Sequence, residues 1–237
     1  MKILLIALCI LFLLAVCKKV KTTSAKGKEK AGIKQLKTGE SESEPLKNGS
    51  IILPTEVREF GYSVSHGYCY YSVVLHNPNK DKAVKYTRLH LSAKDEAGNL
   101  SASGGDIVPI IYPGQDYVHA SQIFALDDAH ADVTVEVLEP DASDITDAEM
   151  TEKYTPLRVI SAVKGKGSII GEIQNDNDRD IDNVGVTVIF RDDNGKLTGG
   201  TSTLVRSVGA KSAAQYEITL FKSFETDKYE IYANIWE

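Results

Sequence analysis

The feature that most constrains the fold is an internal repeat with a period of nearly one hundred residues. Residues 75–79 (LHNPN) resemble residues 173–177 (IQNDN), which lie 98 positions later. Two further matches are 97 positions apart: DEAGNL at 95–100 with DDNGKL at 192–197, and QIF at 122–124 with TLF at 219–221. Solenoid repeats are shorter, roughly 20–45 residues each. A period of this length therefore predicts two whole domains in tandem rather than a stacked array.

Both copies consist of short β-branched and aromatic runs separated by turn residues. The predicted strands are residues 68–76, 84–93, 117–126 and 133–138 in the first copy, and 168–174, 184–191, 213–221 and 229–236 in the second. Gly98 and Gly195 stand where tight hairpins need a positive φ. The pattern predicts an all-β fold of two tandem immunoglobulin-like antiparallel β-sandwiches, at 51–140 and 157–237. Contacts between the two copies are predicted to be few.

The segment between the copies, residues 141–156, has a different composition. Pro140 and Pro156 bracket it, and proline interrupts regular structure. Thr146 and Glu149 have the spacing of a helix capping box. The segment is predicted to form either a short helix or an unstructured linker.

The N-terminus has the pattern of an export signal. Lys2 precedes a 15-residue apolar run, residues 3–17. As a helix this run would be about 22 Å long, shorter than the ~30 Å hydrocarbon core of a bilayer, which favours a signal segment over a permanent span. Its last four residues, Leu14-Ala15-Val16-Cys17, resemble a bacterial lipobox, which implies lipid attachment at Cys17. Cleavage to a free secreted form and retention as an uncleaved anchor are the alternatives.

Charge is distributed unevenly along the chain. Residues 18–50 contain nine lysines and four glutamates, a net charge of +5, whereas the whole chain carries −6. The segment has almost no large apolar residues, so it is predicted to be a disordered basic linker, and its lysines would strengthen attachment to anionic lipid. The remaining body is strongly acidic, which argues against nucleic acid as a partner.

Cysteine is too scarce in the body for an internal disulfide. Cys9 and Cys17 belong to the leader, which leaves Cys69 alone. The two domains must therefore be stabilised by burial, and Cys69 is predicted to be a buried, inert thiol within an aromatic strand.

Two segments of the second copy carry a family resemblance. Residues 167–175 (GSIIGEIQN) and 184–195 (VGVTVIFRDDNG) resemble the FxLYD-type immunoglobulin-like module, in which a strand ends in asparagine and the next runs into an aromatic residue, aspartate and glycine. The first copy matches more loosely, through residues 75–77 and 89–98. The resemblance implies an immunoglobulin-like fold in an extracytoplasmic bacterial protein, frequently a lipoprotein, without shared catalytic residues.

An acidic turn in the second copy is the strongest candidate for metal chemistry. Its alternating carboxylates are Asp176, Asp178, Asp180 and Asp182. Calcium binds six to eight oxygen ligands, often from one loop. The run differs from an EF-hand loop because Ile181 stands where glycine is needed and Thr187 where the bidentate glutamate belongs. Two interpretations remain, a Ca²⁺ loop and an ordinary turn with solvated carboxylates.

Tyrosines in the first copy suggest a contact surface. Tyr68 and Tyr70 should share one face of a strand, with Cys69 and Tyr71 on the opposite face. One face should belong to the core. The other, if exposed, would offer large amphipathic side chains to a partner.

The sequence predicts a non-enzymatic protein. No Gly-x-Ser-x-Gly elbow is present, the five histidines lack zinc spacing, and the glycines of residues 165–171 precede a strand rather than a phosphate-binding helix. We expect an exported, membrane-anchored binding or structural protein of the bacterial envelope, with an envelope protein or polymer as partner. The alternatives are a calcium-dependent module, an envelope enzyme acting through loop carboxylates, and a simple spacer.

Overall fold

The computed structural model describes residues 52–126, 131–148, 155–221, 224 and 226–236. These residues form antiparallel strands together with one short 3₁₀ turn, Ala142–Asp144. The prediction of an all-β, sandwich-type fold is confirmed.

The described residues contain strands that alternate with short turns along the chain. In the first copy they are β1 (Glu56–Ser65), β2 (Tyr68–His76), β3 (Lys82–Lys94), β4 (Leu100–Ile111), β5 (Asp116–Ala125), β6 (Asp132–Val137) and β7 (Ile145–Asp147). In the second copy they are β8 (Arg158–Lys164), β9 (Ser168–Gln174), β10 (Ile181–Arg191), β11 (Leu197–Val208), β12 (Ala213–Thr219) and β13 (Tyr229–Ile235).

The strands form four antiparallel sheets. The first inner sheet has the order β1-β2-β5, and the first outer sheet has the order β4-β3-β6, with β7 paired to the start of β3. The second inner sheet has the order β11-β10-β13, and the second outer sheet has the order β12-β9-β8. The two copies share one topology, because replacing β1–β6 by β8–β13 reproduces both sheet orders. The sequence repeat therefore corresponds to a repeat of whole sheet pairs.

Each sheet pair encloses its own apolar core. In the first copy the alternating residues Tyr71, Val73 and Leu75 of β2 pack against Leu89 and Leu91 of β3. In the second copy the core contains Ile169, Ile173, Val186, Val188 and Phe190. The period-two alternation of these strands places one row of side chains inside and the next outside.

Buried asparagines fix the turn that follows the second strand of each copy. The amide of Asn77 donates to the carbonyls of Lys82 (2.8 Å) and Ile111 (3.0 Å), and its Oδ1 accepts from the backbone and side-chain nitrogens of Asn79. The side-chain amide of Asn79 in turn pairs with the backbone of Leu53: its Oδ1 accepts from the Leu53 N–H, and its Nδ2 donates to the Leu53 carbonyl, both at 2.9 Å. Asn175 and Asn177 repeat this network in the second copy, with Thr155 in place of Leu53. The Asn-x-Asn motif thus ties the chain that enters each copy to its β-turn.

The predicted helix or linker at 141–156 differs from the structure over part of its length. Ile145–Asp147 forms β7, in which Thr146 lies opposite Ala83 of β3. An ion pair between Lys82 and Asp147 closes the same ladder. Thr146 therefore cannot be a helix N-cap, since its backbone extends the first outer sheet. Residues 149–154 lie outside the described part of the chain.

The two inner sheets pack against each other and form an interface that we call the seam. Its apolar contacts are made by Val74, Val118 and Ala120 of the first inner sheet and by Ile189 and Leu197 of the second. These side chains are all buried. The prediction of few contacts between the copies is wrong, because an apolar row on the outside of each inner sheet is covered by the other copy. The described residues of both copies accordingly lie in one compact unit.

Glycines allow the backbones to approach closely at the seam. A Cβ added to Gly61 would lie 2.1 Å from the carbonyl oxygen of Leu197. Gly199 has a φ of +112°, and a Cβ there would lie 2.9 Å from the carbonyl oxygen of Tyr70. Only a residue without a side chain fits such positions.

One arginine connects the copies electrostatically. The guanidinium of Arg191 donates to both carboxylate oxygens of Glu59 across the seam, at 2.5 and 3.3 Å, and to Glu230 of its own sheet at 2.6 Å. The hydrogen bonds from Tyr232 and Arg191 hold the pKa of Glu230 below its usual value. Bidentate arginine–carboxylate pairs are directional, so this contact fixes the register of one copy on the other.

Candidate binding surfaces

The face of β2 that carries Tyr68 and Tyr70 is exposed to solvent at one residue and covered by the second copy at the other. Tyr68 is 43% exposed, but Tyr70 is only 3% exposed. The ring of Tyr70 lies 4.7 Å from that of Phe221 and 5.9 Å from that of Phe224, centroid to centroid. The prediction that Tyr70 offers an exposed contact surface is therefore wrong, since the second copy covers it. Tyr68 remains accessible.

The opposite face of β2, which carries Cys69 and Tyr71, belongs to the first core. Cys69 is a buried free thiol. Burial raises its pKa to about 11, which keeps the sulfur protonated at neutral pH and poorly nucleophilic.

The acidic turn of the second copy distributes its carboxylates among separate partners. The contacts are Asp176 Oδ2 with Arg158 Nε at 2.6 Å, Asp178 Oδ1 with Lys211 Nζ at 3.0 Å, and Asp180 Oδ1 with the backbone N–H of Ala210 at 2.8 Å. Asp182 is exposed at the start of β10. The hydrogen bond from Arg158 lowers the pKa of Asp176. Within the described residues no group of three or more His, Cys, Asp or Glu side chains is placed to hold a metal ion, so the four aspartates do not form a common ligand set.

A largely buried polar cluster in the first copy could not be predicted from the sequence. Tyr71 donates to Asp106 Oδ2 at 2.7 Å, and His119 Nε2 lies 3.1 Å from the same oxygen. The ring of Trp236, from the second copy, stacks on the imidazole of His119 with 5.6 Å between the ring centroids. The three polar residues come from β2, β4 and β5, so only the pairing of strands brings them together. The cluster links both sheets of the first pair to Trp236, which directly follows β13 of the second copy.

The environment of Asp106 predicts an acid-dependent stability. Burial alone would disfavour the carboxylate, but the hydrogen bonds from His119 and Tyr71 outweigh it and hold the pKa of Asp106 below its usual value. A carboxyl with a depressed pKa stabilises the fold above the ordinary aspartate pKa of about 3.9, and that contribution is lost as pH falls through the lowered value. We expect Asp106→Asn to be destabilising at pH 6 and the difference from wild type to shrink below pH 4. Urea unfolding from pH 6 to pH 2 measures this, with the exposed Asp132→Asn as control, and a difference independent of pH would contradict it.

A shallow cavity lies at one end of the second sheet pair. Its volume is about 450 Å³, and its lining includes Lys164, Lys166, Leu220, Phe221, Phe224 and Asp227. Lys164 already donates to the Thr226 carbonyl at 2.5 Å and to Asp227 at 3.2 Å. The cavity adjoins the aromatic contact of Tyr70, so its apolar wall is continuous with the seam.

The outer sheets carry exposed apolar side chains. Val163 and Ile170, paired across β8 and β9, are 71% and 52% exposed on the second outer sheet. Leu100, at the start of β4 in the first outer sheet, is 63% exposed. Such groups are unremarkable singly, but an adjacent cross-strand pair forms an apolar patch on a solvent-facing sheet.

Comparison with known proteins adds no relative. No protein-family model matches the chain, and no curated protein matches it at a significant level. No helix in the described part of the chain is both long and apolar enough to cross a bilayer. Cys17, the predicted lipidation site, lies outside the described residues.

Proposed function

We propose that this chain is a non-enzymatic binding or structural protein of the bacterial cell envelope, exported and held at the membrane by its N-terminal segment. Its folded body would act as a rigid element that presents two outer sheets on opposite sides. The seam is the observation that supports this role.

Rigidity follows from the composition of the seam. Interfaces between tandem domains that move freely are small and polar. Here the seam contains buried aliphatic residues, backbone contacts made possible by Gly61 and Gly199, and the bidentate pair of Arg191 with Glu59. Relative motion of the two sheet pairs would break all three kinds of contact at once.

Attachment to the envelope is supported by the sequence. The apolar leader ends in a lipobox-like tetrapeptide at Cys17, and a basic segment follows it. One acyl chain binds a bilayer weakly, and neighbouring lysines strengthen binding to anionic lipid. The likeness of residues 167–175 and 184–195 to FxLYD-type modules, which implies an extracytoplasmic setting, points in the same direction.

Lipid attachment predicts a specific labelling result. The full-length chain, expressed in a bacterium fed an alkyne-tagged fatty acid, should incorporate the label and sediment with membranes. Cys17→Ala should abolish labelling, because it removes the acylated sulfur, whereas the matched leader variant Cys9→Ala should label like wild type. Unlabelled wild-type chain recovered in the cytoplasmic fraction would contradict the proposed attachment.

A further inference from the structure

We infer that the two outer faces bind each other between molecules, so that the chain associates head to tail with a second copy of itself. The docking face consists of Val163, Ile170 and Glu172 on the second outer sheet. The receiving face consists of Lys94 and Leu100 on the first outer sheet. This inference names a partner for the proposed structural role but does not depend on export, which the Cys17 experiment tests separately.

The seam shows which faces of the two copies pair with each other. It joins unlike sheets of two copies that share one topology: the β1-β2-β5 sheet of the first copy meets the β11-β10-β13 sheet of the second. A contact between unlike faces of equivalent units leaves one face of each type unused. The unused faces are the β12-β9-β8 sheet, which corresponds to β1-β2-β5, and the β4-β3-β6 sheet, which corresponds to β11-β10-β13.

Strand register identifies the docking face. In the first inner sheet Gly61 pairs with Ser72, and both are buried at the seam. In the second outer sheet the equivalent pair is Val163 with Ile170. In the first inner sheet these positions contact the other copy. The equivalent positions of the second outer sheet, which no copy covers, carry the exposed aliphatic side chains of Val163 and Ile170.

The receiving face has the matching apolar group. Leu197 begins β11 and pairs with Arg191 at the end of β10. Its carbonyl lies against Gly61. Its equivalent is Leu100, which pairs with Lys94 at the start of β4. Leu197 is buried in the seam, whereas Leu100 is largely exposed. Val163 stands at the position where Gly61 lets the backbones touch, so an intermolecular contact between these faces would hold the two sheets farther apart than the seam does. The side chains of Val163 and Ile170 would then cover Leu100.

The ion pair of the seam has a counterpart on the outer faces, displaced by one strand. Arg191 binds Glu59, which lies opposite Val74 on the neighbouring strand. In the second outer sheet the position of Glu59 is taken by Ser161, and the residue opposite it is Glu172. The carboxylate of the second outer sheet, on Glu172, therefore lies one strand further across the sheet than the carboxylate of Glu59 does at the seam. Lys94 takes the place of Arg191 as the cation. The geometry therefore assigns Lys94 and Glu172 as an intermolecular ion pair.

Sedimentation velocity of the full-length chain in a mild detergent tests the inference over a hundredfold concentration range. Wild type should form a concentration-dependent series beyond the dimer, because a head-to-tail contact builds open chains or rings rather than an isologous dimer. Ile170→Lys should remain monomeric, whereas Leu204→Lys, which changes an exposed leucine of the second inner sheet, should associate like wild type.

Charge reversal provides an independent readout that does not depend on the apolar variant folding well. Lys94→Glu and Glu172→Lys should each weaken association by about tenfold or more, since each places like charges together. Their combination in one chain should restore it, because the swapped face of one molecule then meets the swapped face of the next. A wild type that is monomeric throughout, association that survives Ile170→Lys, or a double variant as weak as the singles would each overturn the inference.

Discussion

Replacing Asn175 with alanine is expected to lower the free energy of unfolding by about 3 kcal/mol or more. Its amide donates to the carbonyls of Arg179 and Val208 at 2.8 and 2.9 Å, and its Oδ1 accepts from the Asn177 backbone at 2.9 Å. The side chain is fully buried. Alanine would leave several buried polar groups without partners, and each such group costs roughly 1–3 kcal/mol.

Urea unfolding followed by circular dichroism measures this loss. Asn194→Ala, which changes an exposed asparagine in the 192–195 turn, is the matched control and should stay within about 0.5 kcal/mol of wild type. Asn77→Ala should cause a similarly large loss, because Asn77 lies at the centre of the same hydrogen-bond network in the first copy. A loss below about 1 kcal/mol at Asn175 would show that water satisfies the freed groups.

Replacing Gly61 with alanine is expected to open the seam. The new Cβ would overlap the carbonyl oxygen of Leu197 at 2.1 Å, and that oxygen belongs to the backbone and cannot rotate away. Forced overpacking of this kind costs about 1–3 kcal/mol, and more where the backbone must move. We therefore expect a loss near the top of that range and weaker coupling between the two sheet pairs.

The control for Gly61→Ala is another strand glycine with room for a methyl group. A Cβ at Gly105 would have the Leu89 carbonyl at 3.6 Å as its nearest neighbour, which is ordinary van der Waals contact. Gly105→Ala should leave the thermal midpoint nearly unchanged, while Gly61→Ala should lower it and broaden the transition. Equal midpoints for the two variants would contradict the close approach at the seam.

The strands with strong alternation were predictable from the sequence. Tyr68–His76 and Ser168–Gln174 have the predicted bounds, because each begins after a glycine turn and ends at the Asn-x-Asn motif. The repeat also indicated correctly that both copies share one architecture. These features are local, so neither required knowledge of a distant contact.

Other strands could not be predicted because their pairing is set by distant contacts. β4 contains Ser103, Gly104, Gly105 and Pro109, residues with poor strand propensity. It forms a strand because β3 supplies a ladder along its whole length. β7 is similar: three residues with no alternation gain a strand conformation only from the free start of β3.

The contacts of outward-facing residues were also beyond the reach of sequence patterns. Alternation separates Tyr70 from Tyr71 but does not reveal that a second sheet pair covers Tyr70. The available signal was the glycines Gly61 and Gly199, whose lack of a side chain permits close approach. The Asn-x-Asn motif was recognised as a turn, but its burial depends on the entering segment at Leu53 or Thr155.

The most direct test of the account is the distance between the two outer sheets in solution. Spin labels at Ser103 on β4 and Gln215 on β12 would lie at least about 30 Å apart, since three sheet-to-sheet spacings of about 10 Å separate these layers. Cys9 and Cys17 are replaced by serine, and labelled protein is diluted into unlabelled protein to remove intermolecular distances. Double electron–electron resonance should then give one narrow distance distribution. A broad distribution would mean that the two sheet pairs move independently, which contradicts the seam as a rigid contact.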